Sequence, residues 1–347
     1  MNRKPVRTAV VGCGLIGKRR AQVAAANVGS KCVLVVDSNI EVARALAKEV
    51  GAESSADWRE AVRREDIDAL VVATPNGFLA EISIAAAAHG KHVLAEKPMG
   101  RTLEEAEHMR AAFSSAGRIL KIGLNHRYHP AIAEAHRQFA RREIGDVINI
   151  RCRYGHGGRP GYEKEWRGNR ELSGGGELTD QGVHVVDLIH WFAGQPFEVF
   201  SYLQTAVWPL GDLEDNAFGL MRFESGAIAT LHTSWTQWKN LFSLEIHGTH
   251  GALCVEGLGR SYGIETLVRH IRKPEGGAPE TSRVEYPGED RSWELEWEDL
   301  LGSLAGGRAG LGSAEDGVAA MRTLEAMYRS AATGQPVELA GEVAGHA

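Results

Sequence analysis

The stretch VRTAVVGCGLIG, residues 6–17, decides the fold class of this chain. A valine-rich run, typical of a buried strand, leads directly into GCGLIG at residues 12–17, and a helical pattern follows. In this strand–turn–helix context G-x-G-x-x-G predicts a dinucleotide-binding βαβ unit, the alternative being an ordinary core glycine turn. Gly12 would make the tight turn, Gly14 would admit a pyrophosphate to the backbone, and Gly17 would let the helix pack on the strand. The predicted cofactor contacts here are Gly12, Gly14, Leu15, Ile16 and Gly17.

Asp37 ends the second predicted strand, downstream of Gly17. A carboxylate at this place accepts hydrogen bonds from ribose hydroxyls. It repels a 2′-phosphate by roughly 1 to 4 kcal/mol at a separation of about 4 Å. Ser38, a further predicted contact, follows it, and no Arg stands next in the chain. The pattern predicts NAD rather than NADP, over the alternative that Asp37 only caps the next helix.

The first third of the chain alternates short apolar runs with helical patterns, which predicts a parallel sheet in an α/β domain of residues 1–125. The predicted helix at TLEEAEHMRAAFSSAG begins with Thr102 as N-cap and Glu105 three residues on, a capping box. The five predicted strands are VRTAVVG, KCVLVVD, DALVVAT, HVLAEKP and ILKIGLN.

Residues 126–347 show a different pattern, with longer strands of alternating polarity from residue 146 onward. Such strands predict a mostly antiparallel sheet with one covered face. Turns are predicted at 224–226 and 248–251, and a solvated loop or edge excursion at 273–282. A last amphipathic helix is predicted between Ser313 as N-cap and Gly334, and it either belongs to this second domain or packs back on the first.

Composition excludes several classes of protein. The 347 residues are 43% hydrophobic and 24% charged with a net charge of -6, which predicts a globular protein of two domains without affinity for nucleic acid or an anionic membrane. The apolar pattern predicts neither a signal peptide nor a membrane-spanning run. The four cysteines lie far apart and predict free thiols in the cytoplasm. Histidines such as His89, His232 and His247 have no metal-ligand spacing, so we predict no metal.

Three further motifs carry a resemblance to a known family. They are ATPN at 73–76, AEKP at 95–98 and GGGELTDQGVHVVD at 174–187. In this order they resemble the glucose-fructose oxidoreductase/inositol dehydrogenase (Gfo/Idh/MocA) family. The resemblance implies an N-terminal Rossmann domain, a C-terminal α/β domain with an open, mostly antiparallel sheet, and a homodimer or homotetramer built on that sheet. Leu79 stands where many relatives have His, which leaves the packing of that helix open.

Asp180 and His184 are spaced i and i+4, so a helix would put them on one face, with Asp187 continuing the stripe away from the core. Gly182 would cost such a helix about 1 kcal/mol relative to Ala, and close approach of a ligand would explain it. The three glycines before it would let the loop bend against a nicotinamide. The alternative is a glycine loop with Asp180 as a cap and His184 as a buried structural residue. The resemblance implies that His184 is the catalytic base and that Asp180 orients the substrate.

Lys97 is implied to polarise the oxygen that becomes the carbonyl, while Glu96 would serve the nicotinamide ribose. The alternative for Lys97, a surface residue at a strand end, is disfavoured by Pro98, which relatives often hold in a cis peptide. Further predicted cofactor contacts are Thr74, Pro75, Asn76, Asn125, Arg127, Trp166 and Arg167. Substrate contacts predicted beside Lys97, Asp180 and His184 are Tyr154, His156 and Arg167, with Trp235 and Trp238 as weaker candidates.

The loop around Arg167 is basic, and two interpretations stay open for it. It could bind a charged substrate such as a sugar phosphate or nucleotide sugar, or it could be a solvated loop. Its basic residues are Arg159, Lys164, Arg167 and Arg170.

Taken together, the residues and the resemblance predict a cytoplasmic NAD-dependent dehydrogenase that oxidises a ring hydroxyl of a sugar, cyclitol or sugar derivative, or runs the reverse. Three alternatives remain. The first is a relative that uses tightly bound NAD transiently for glycoside cleavage or epimerisation. The second is an NADP(H)-linked ketosugar reductase, and the third is a non-catalytic binding protein on the same fold.

Overall fold

A computed structural model describes residues 4–306 and 310–339. The chain divides into two compact units. The first contains the residues up to 125 together with 171–174 and 293–318, and the second contains 126–170, 175–292 and the residues from 319 onward. The sequence predicted domains of 1–125 and 126–347, and the units depart from that division at 171–174 and 293–318.

The first unit is built on a six-stranded parallel sheet with the strand order β3-β2-β1-β4-β5-β6. Its strands are β1 (Val6–Val11), β2 (Ser30–Val36), β3 (Glu53–Ser55), β4 (Ala69–Val72), β5 (His92–Ala95) and β6 (Leu120–Ile122). Its intervening helices are α1 (Leu15–Ala26), α2 (Ile40–Val50), α3 (Trp58–Arg63), α4 (Leu79–Ala88) and α5 (Leu103–Ala116). The predicted parallel sheet is confirmed, with β3 as an additional short edge strand.

Local capping explains where these helices begin and end. Asn39 caps α2 by accepting a hydrogen bond from the Glu41 N–H at 3.1 Å. Thr102 caps α5 by accepting from the Glu105 N–H at 3.1 Å, as predicted. The Glu105 carboxylate accepts from the Arg101 N–H at 2.7 Å, so half of the capping box is shifted by one residue.

Helix α9 (Ser292–Gly306) was missed by the sequence analysis. Trp297 on this helix is fully buried, packs in one apolar cluster with Val10 and Leu94, and donates its indole N–H to Ser30 Oγ at 2.9 Å. Residues 293–318 therefore belong to the first unit because α9 supplies part of its core.

The second unit is built on a nine-stranded mixed sheet with the order β14-β13-β12-β11-β7-β10-β9-β8-β15. Among the strand pairs of this sheet in the described residues only β7–β10 is parallel, so the predicted mostly antiparallel sheet is confirmed. Its strands are β7 (Val147–Gly155), β8 (Glu198–Gln204), β9 (Asn216–Arg222), β10 (Ile228–Ser234), β11 (Leu241–Gly248), β12 (Gly251–Glu256), β13 (Glu265–Ile271), β14 (Glu280–Tyr286) and β15 (Val337–Glu338). The remaining helices are α6 (Pro130–Ala140), α7 (Arg170–Ser173), α8 (Val183–Ala193) and α10 (Ala314–Thr333).

Helices α6 and α8 pack on one face of the nine-stranded sheet, and in the described part of the chain Tyr202, Phe218 and Leu220 on the other, open face are exposed. Both predicted hairpins are present, β9–β10 around 224–226 and β11–β12 around 248–251. The predicted loop at 273–282 is the connection of a third hairpin, because β14 begins within it at Glu280. Ser313 caps α10 as predicted, accepting from the Asp316 N–H at 3.1 Å. In the described part of the chain no helix is long and apolar enough to cross a membrane.

Candidate active site

The glycine-rich turn of the first unit has the geometry that an anion-binding loop requires. Gly12 has a φ of +92°, and a Cβ there would lie 2.5 Å from the Ala73 carbonyl oxygen. A Cβ on Gly17 would lie 1.7 Å from the Gly12 carbonyl oxygen, so both positions require glycine. A Cβ on Gly14 would meet nothing within 4 Å, which leaves space in front of the backbone. No side chain caps the N-terminus of α1 at Gly14, so its first N–H groups face that space.

Asp37 is held in a fixed orientation at the end of β2. Its Oδ2 accepts from the Cys13 N–H at 2.8 Å and its Oδ1 accepts from the Asn39 N–H at 2.9 Å. Each oxygen keeps a second lone-pair direction, so the carboxylate can still accept from a ribose diol. Ser38 next to it is exposed, as is Leu15 in the glycine loop, whereas Ile16 is half-buried. These features fit the adenosine and pyrophosphate of a dinucleotide.

The EKP segment follows β5. The peptide bond between Lys97 and Pro98 is cis, as the resemblance implied, and Lys97 is half-buried. Glu96 is bound by a neighbour inside the unit, since Oε1 accepts from Arg20 Nε at 2.8 Å. Arg20 also forms a buried ion pair with Glu296 of α9 at 2.5 Å. Arg20 of α1 therefore links Glu96 to Glu296 of α9, a contact that the prediction of a ribose contact for Glu96 did not include.

The segment after β4 contributes the remaining predicted residues of this unit. Thr74 and Pro75 are half-buried, and Asn76 is buried. The Asn76 amide donates to the Ser173 carbonyl oxygen at 2.7 Å, which attaches residues 171–174 to the first unit. Leu79, which stands where many relatives have His, is fully buried at the start of α4. Asn125, after β6, is buried as well.

The three glycines at 174–176 are required by packing. A Cβ on Gly174 would lie 2.7 Å from the Arg101 carbonyl oxygen. A Cβ on Gly175 would lie 2.2 Å from Tyr328 Oη, and one on Gly176 would lie 2.2 Å from the Glu214 carbonyl oxygen. These close contacts with other protein atoms favour glycine at 174–176 whether or not a nicotinamide binds nearby.

Asp180 lies in a π-helical turn, Leu178–Gly182, and not in the regular helix that the i, i+4 spacing predicted. Its Oδ2 lies 3.2 Å from Arg167 Nε, and the two side chains are 15% and 28% exposed. Burial opposes the charge on Arg167, yet Asp180 beside it raises the pKa of the guanidinium above its ordinary value. A Cβ on Gly182 would lie 2.9 Å from Leu178 Cδ1 and 3.4 Å from Thr233 Oγ1, so packing within the unit also favours a glycine there.

His184 lies in the first turn of α8 and is 5% exposed. The prediction that Asp187 continues an outward stripe is wrong, because Asp187 is 1% exposed and pairs with Arg127. Arg127 Nε donates to Asp187 Oδ2 at 2.9 Å and its Nη2 donates to Oδ1 at 2.5 Å. The Arg127 guanidinium was predicted to contact the cofactor. In the structure it instead forms this bidentate ion pair with α8.

Tyr154 lies near the end of β7, and His156 follows the strand directly. Tyr154 is 7% exposed, and burial raises the pKa of its phenol well above the ordinary value. Burial lowers the pKa of His156, with Asp180 opposing the shift, and its Nδ1 accepts from the Gly158 N–H at 2.9 Å. With Nδ1 accepting, the ring nitrogen left to donate a hydrogen bond is Nε2.

The tryptophans of this unit have different surroundings. Trp166 is half-buried beneath the Arg167 guanidinium at 4.4 Å. Trp235 is 1% exposed and lies in an apolar cluster with Tyr162, so it is a core residue. Trp238 is 68% exposed.

Most of the basic loop is neutralised by neighbouring carboxylates. Arg159 Nη2 lies 2.8 Å from Glu165, and Arg170 Nε lies 2.5 Å from Asp212. With the pairing of Arg167 and Asp180, three of the four basic side chains form ion pairs.

His126 is the residue that sequence reasoning missed. Its ring stacks on His184 with centroids 3.8 Å apart. The only available signal was the histidine-rich NHRYHP at 125–130, where Asn125 and Arg127 were chosen instead. In the described residues no group of His, Cys, Asp and Glu side chains has the geometry of a metal site.

The fold and these residues define the class: an NAD(P)-binding Rossmann unit joined to a mixed-sheet unit that carries titratable side chains. Residues 6–124 match the oxidoreductase family with an NAD-binding Rossmann fold, and residues 132–254 match the GFO/IDH/MocA C-terminal domain. The chain belongs to the Gfo/Idh/MocA family, and it is an NAD(P)-dependent dehydrogenase acting on CH–OH groups.

Individual relatives agree with this. The chain is 30% identical to 1,5-anhydro-D-fructose reductase of Ensifer adhaerens, over 96% of this chain and 98% of that enzyme. It is 30% identical to levoglucosan dehydrogenase of Pseudarthrobacter phenanthrenivorans, over 63% of each chain. A solved structure of levoglucosan dehydrogenase in complex with NADH and levoglucosan matches with a TM-score of 0.89 at 25% identity, over 97% of this chain and 100% of that one.

Proposed function

We propose that this chain oxidises a ring hydroxyl of a neutral sugar, a cyclitol or a related derivative to a ketone with NAD, or catalyses the reverse reduction, by hydride transfer. The observation that carries the proposal is the second unit's cluster, in which buried His184 follows one helical turn after the partly exposed Asp180. Relatives that act on levoglucosan and on 1,5-anhydro-D-fructose support the substrate class.

The reaction moves one proton and one hydride from the substrate. As the carbonyl forms, the hydroxyl proton passes to the His184 imidazole and the hydride leaves the carbinol carbon. The nicotinamide of NAD, when bound, would supply the acceptor for this hydride. Asp180 accepts a hydrogen bond from a neighbouring substrate hydroxyl, and the Lys97 ammonium stabilises the alkoxide character that develops on the reacting oxygen.

The ion pairs of the basic loop favour an uncharged substrate. Arg159, Arg167 and Arg170 are each paired with a carboxylate, so a phosphate or a sugar carboxylate would have to displace an existing partner. An uncharged sugar ring can be bound by hydrogen bonds alone, and Asp180 and His156 can supply them. We therefore propose a neutral substrate over a sugar phosphate or nucleotide sugar.

The test is NADH formation with matched neutral and charged compounds. The panel pairs glucose with glucose 6-phosphate, a methyl glucoside with the corresponding glucuronide, and adds levoglucosan and inositols. We expect the neutral member of a pair to be favoured in kcat/KM by about tenfold or more, since a charged group would cost about 1.4 kcal/mol or more. A preference for the phosphorylated member would contradict the neutral-substrate proposal. Tightly bound NAD without net NADH from any compound would indicate transient oxidation instead.

The roles of the residues are tested in the same assay. His184→Ala should keep NAD affinity and lower kcat by about 10²- to 10⁴-fold, the usual worth of a general base. His190→Ala, on the same helix, is the matched control and should leave kcat unchanged. Lys97→Ala should lower kcat and weaken substrate binding. Turnover at the wild-type rate in His184→Ala would remove that residue from the base role.

We also propose that a second copy of the chain covers the open face of the nine-stranded sheet. Tyr202, Phe218 and Leu220 on this face are 65%, 42% and 48% exposed. Arg151 and Glu245 on the same face carry both signs of charge, as an isologous interface between identical patches requires. Sedimentation should show a dimer or tetramer that Leu220→Glu dissociates. Val284→Glu on edge strand β14 is the control, and a monomeric wild type at micromolar concentration would exclude the proposal.

We propose a cytoplasmic location because the cysteines of this chain are free thiols. All four cysteines are unpaired, and burial raises the pKa of Cys13 and of Cys32 to about 12. Such a set suits a reducing compartment. Cell fractionation tests this, and recovery of the protein outside the cytoplasm would overturn it.

A further inference from the structure

The turn that carries His126 is anchored to helix α8 by its next residue. Arg127 forms the buried bidentate ion pair with Asp187, and its guanidinium carbon also lies 5.3 Å from the centre of the Trp191 ring. Both partners are on α8, one and two turns after His184. The position of His126 relative to α8 is therefore set by a strong buried contact and does not depend on the His126 side chain itself.

The His126 ring lies flat against the ring of His184. The centroids are 3.8 Å apart and the planes differ by 23°, which is a stacked arrangement. Each residue is 5% exposed. One face of the His184 imidazole is thus covered by a second planar ring, and rotation of His184 about its last side-chain bond would drive its edge into that ring.

The His126 ring is itself held by other side chains. Tyr154 lies edge-on at 5.2 Å and Phe242 lies tilted at 6.2 Å. His129 lies edge-on at 5.5 Å, and its Nδ1 is 2.7 Å from Glu265 Oε1. Contacts on several sides leave the His126 ring little freedom to turn, so it is a rigid support.

We propose that His126 is a positioning residue for His184: its ring face keeps the His184 imidazole in the single orientation in which it can take the substrate proton. The proposal rests on the proposed base role of His184. General base catalysis needs the nitrogen within hydrogen-bond reach of the hydroxyl, and a misplacement of about 1 Å can cost about 10²-fold in rate. His126 need not touch substrate to have this effect.

The experiment compares two replacements of His126 by steady-state kinetics, with NADH formation from the best neutral substrate. His126→Phe keeps a planar ring and should stay within about fivefold of the wild-type kcat. His126→Met has a comparable volume without a ring and should lose about 10- to 100-fold in kcat. KM and NAD affinity should change by less than about threefold in both, because the loss belongs to the chemical step.

The matched control is a second stack on the same helix. His136 stacks on Trp191 with centroids 3.7 Å apart and an interplanar angle of 5°, and the ring contacts of His136, with Phe139, Trp191 and Phe192, include neither His126 nor His184. His136→Met should lower the thermal midpoint and leave kcat unchanged, which separates loss of a stack from loss of positioning. If His126→Met does not fold, His126→Gln replaces it, and if neither folds, a drop of more than about tenfold in His126→Phe alone overturns the proposal.

Three results distinguish this proposal from the proposed function. An unchanged kcat in His126→Met, or equal losses in the Met and Phe variants, would overturn the positioning role. His184→Ala, measured in parallel, tests the base role separately. An inactive His184→Ala beside a fully active His126→Met would remove only the positioning role, whereas an active His184→Ala would remove the base.

Discussion

Asp37 predicts a preference for NAD over NADP whose size follows from its contacts. The carboxylate accepts from the Cys13 and Asn39 N–H groups at 2.8 and 2.9 Å. Turning away from a 2′-phosphate would break both bonds, and each hydrogen bond to a charged group contributes about 1.5 to 3 kcal/mol. The carboxylate therefore stays, and the repulsion is roughly 1 to 4 kcal/mol at about 4 Å. This corresponds to a preference for NAD of about 5- to 1000-fold.

The assay is kcat/KM for NAD and for NADP at a saturating concentration of the best sugar substrate. Asp37→Asn keeps the shape and removes the charge, so the NAD/NADP ratio should fall by about tenfold or more, mainly because NADP improves. The matched control is Asp57→Asn, since Asp57 also accepts a backbone N–H in the first unit, from Arg59 at 3.0 Å. The control should leave the ratio unchanged. A wild type that uses both cofactors equally, or an unchanged ratio in Asp37→Asn, would refute the reasoning.

Three further predictions concern the second unit. Asp187→Asn leaves Arg127 buried without its counter-charge and should cost about 3 to 5 kcal/mol in urea unfolding, so a loss below about 1 kcal/mol would contradict the buried ion pair. Gly176→Ala should lower the thermal midpoint, because its Cβ would lie 2.2 Å from the Glu214 carbonyl oxygen; an unchanged midpoint would contradict that packing. Burial raises the pKa of the Glu214 carboxyl despite a hydrogen bond from Tyr328, so its stabilising effect is complete below the ordinary Glu pKa and is lost as pH rises through the raised value. The unfolding free energy of wild type relative to Glu214→Gln should therefore fall with rising pH, and a flat difference would contradict the shift.

Elements with a clear periodic pattern were predictable from the sequence. The strands of the first unit are buried on both faces and so appear as short apolar runs, with Ala9 and Val10 fully buried in β1. Strand β14 was missed because ETSRVEY at 280–286 has no apolar face, its residues being mostly exposed. Helix α9 carried a readable signal, since Trp293, Trp297 and Leu300 recur at helical spacing. Its place in the first unit was not readable, because it depends on contacts distant in sequence.

The candidate site was predictable where the motif itself fixes the geometry. Gly12, Gly17 and Asp37 have the backbone conformation, close contacts and orientation that the glycine pattern implies. The functional roles of Lys97, Asp180 and His184 came from the resemblance and remain proposals. Spacing alone misjudged Asp187, because a carboxylate three residues after His184 could face either the open side of the helix or a buried Arg.

The error at Asp187 and the omission of His126 have one physical cause. Both residues depend on the turn at 125–128, which brings a cation and an imidazole onto α8 from a distant part of the chain. Helical spacing in a sequence shows only which side chains share a face of the helix. Whether that face is buried or exposed depends on the elements that pack on it. The buried charge on Asp187 is tolerated because Arg127 pairs with it. The same turn places the His126 ring on His184. The ion pair that the sequence concealed is thus the reason that the proposed base has a rigid neighbour.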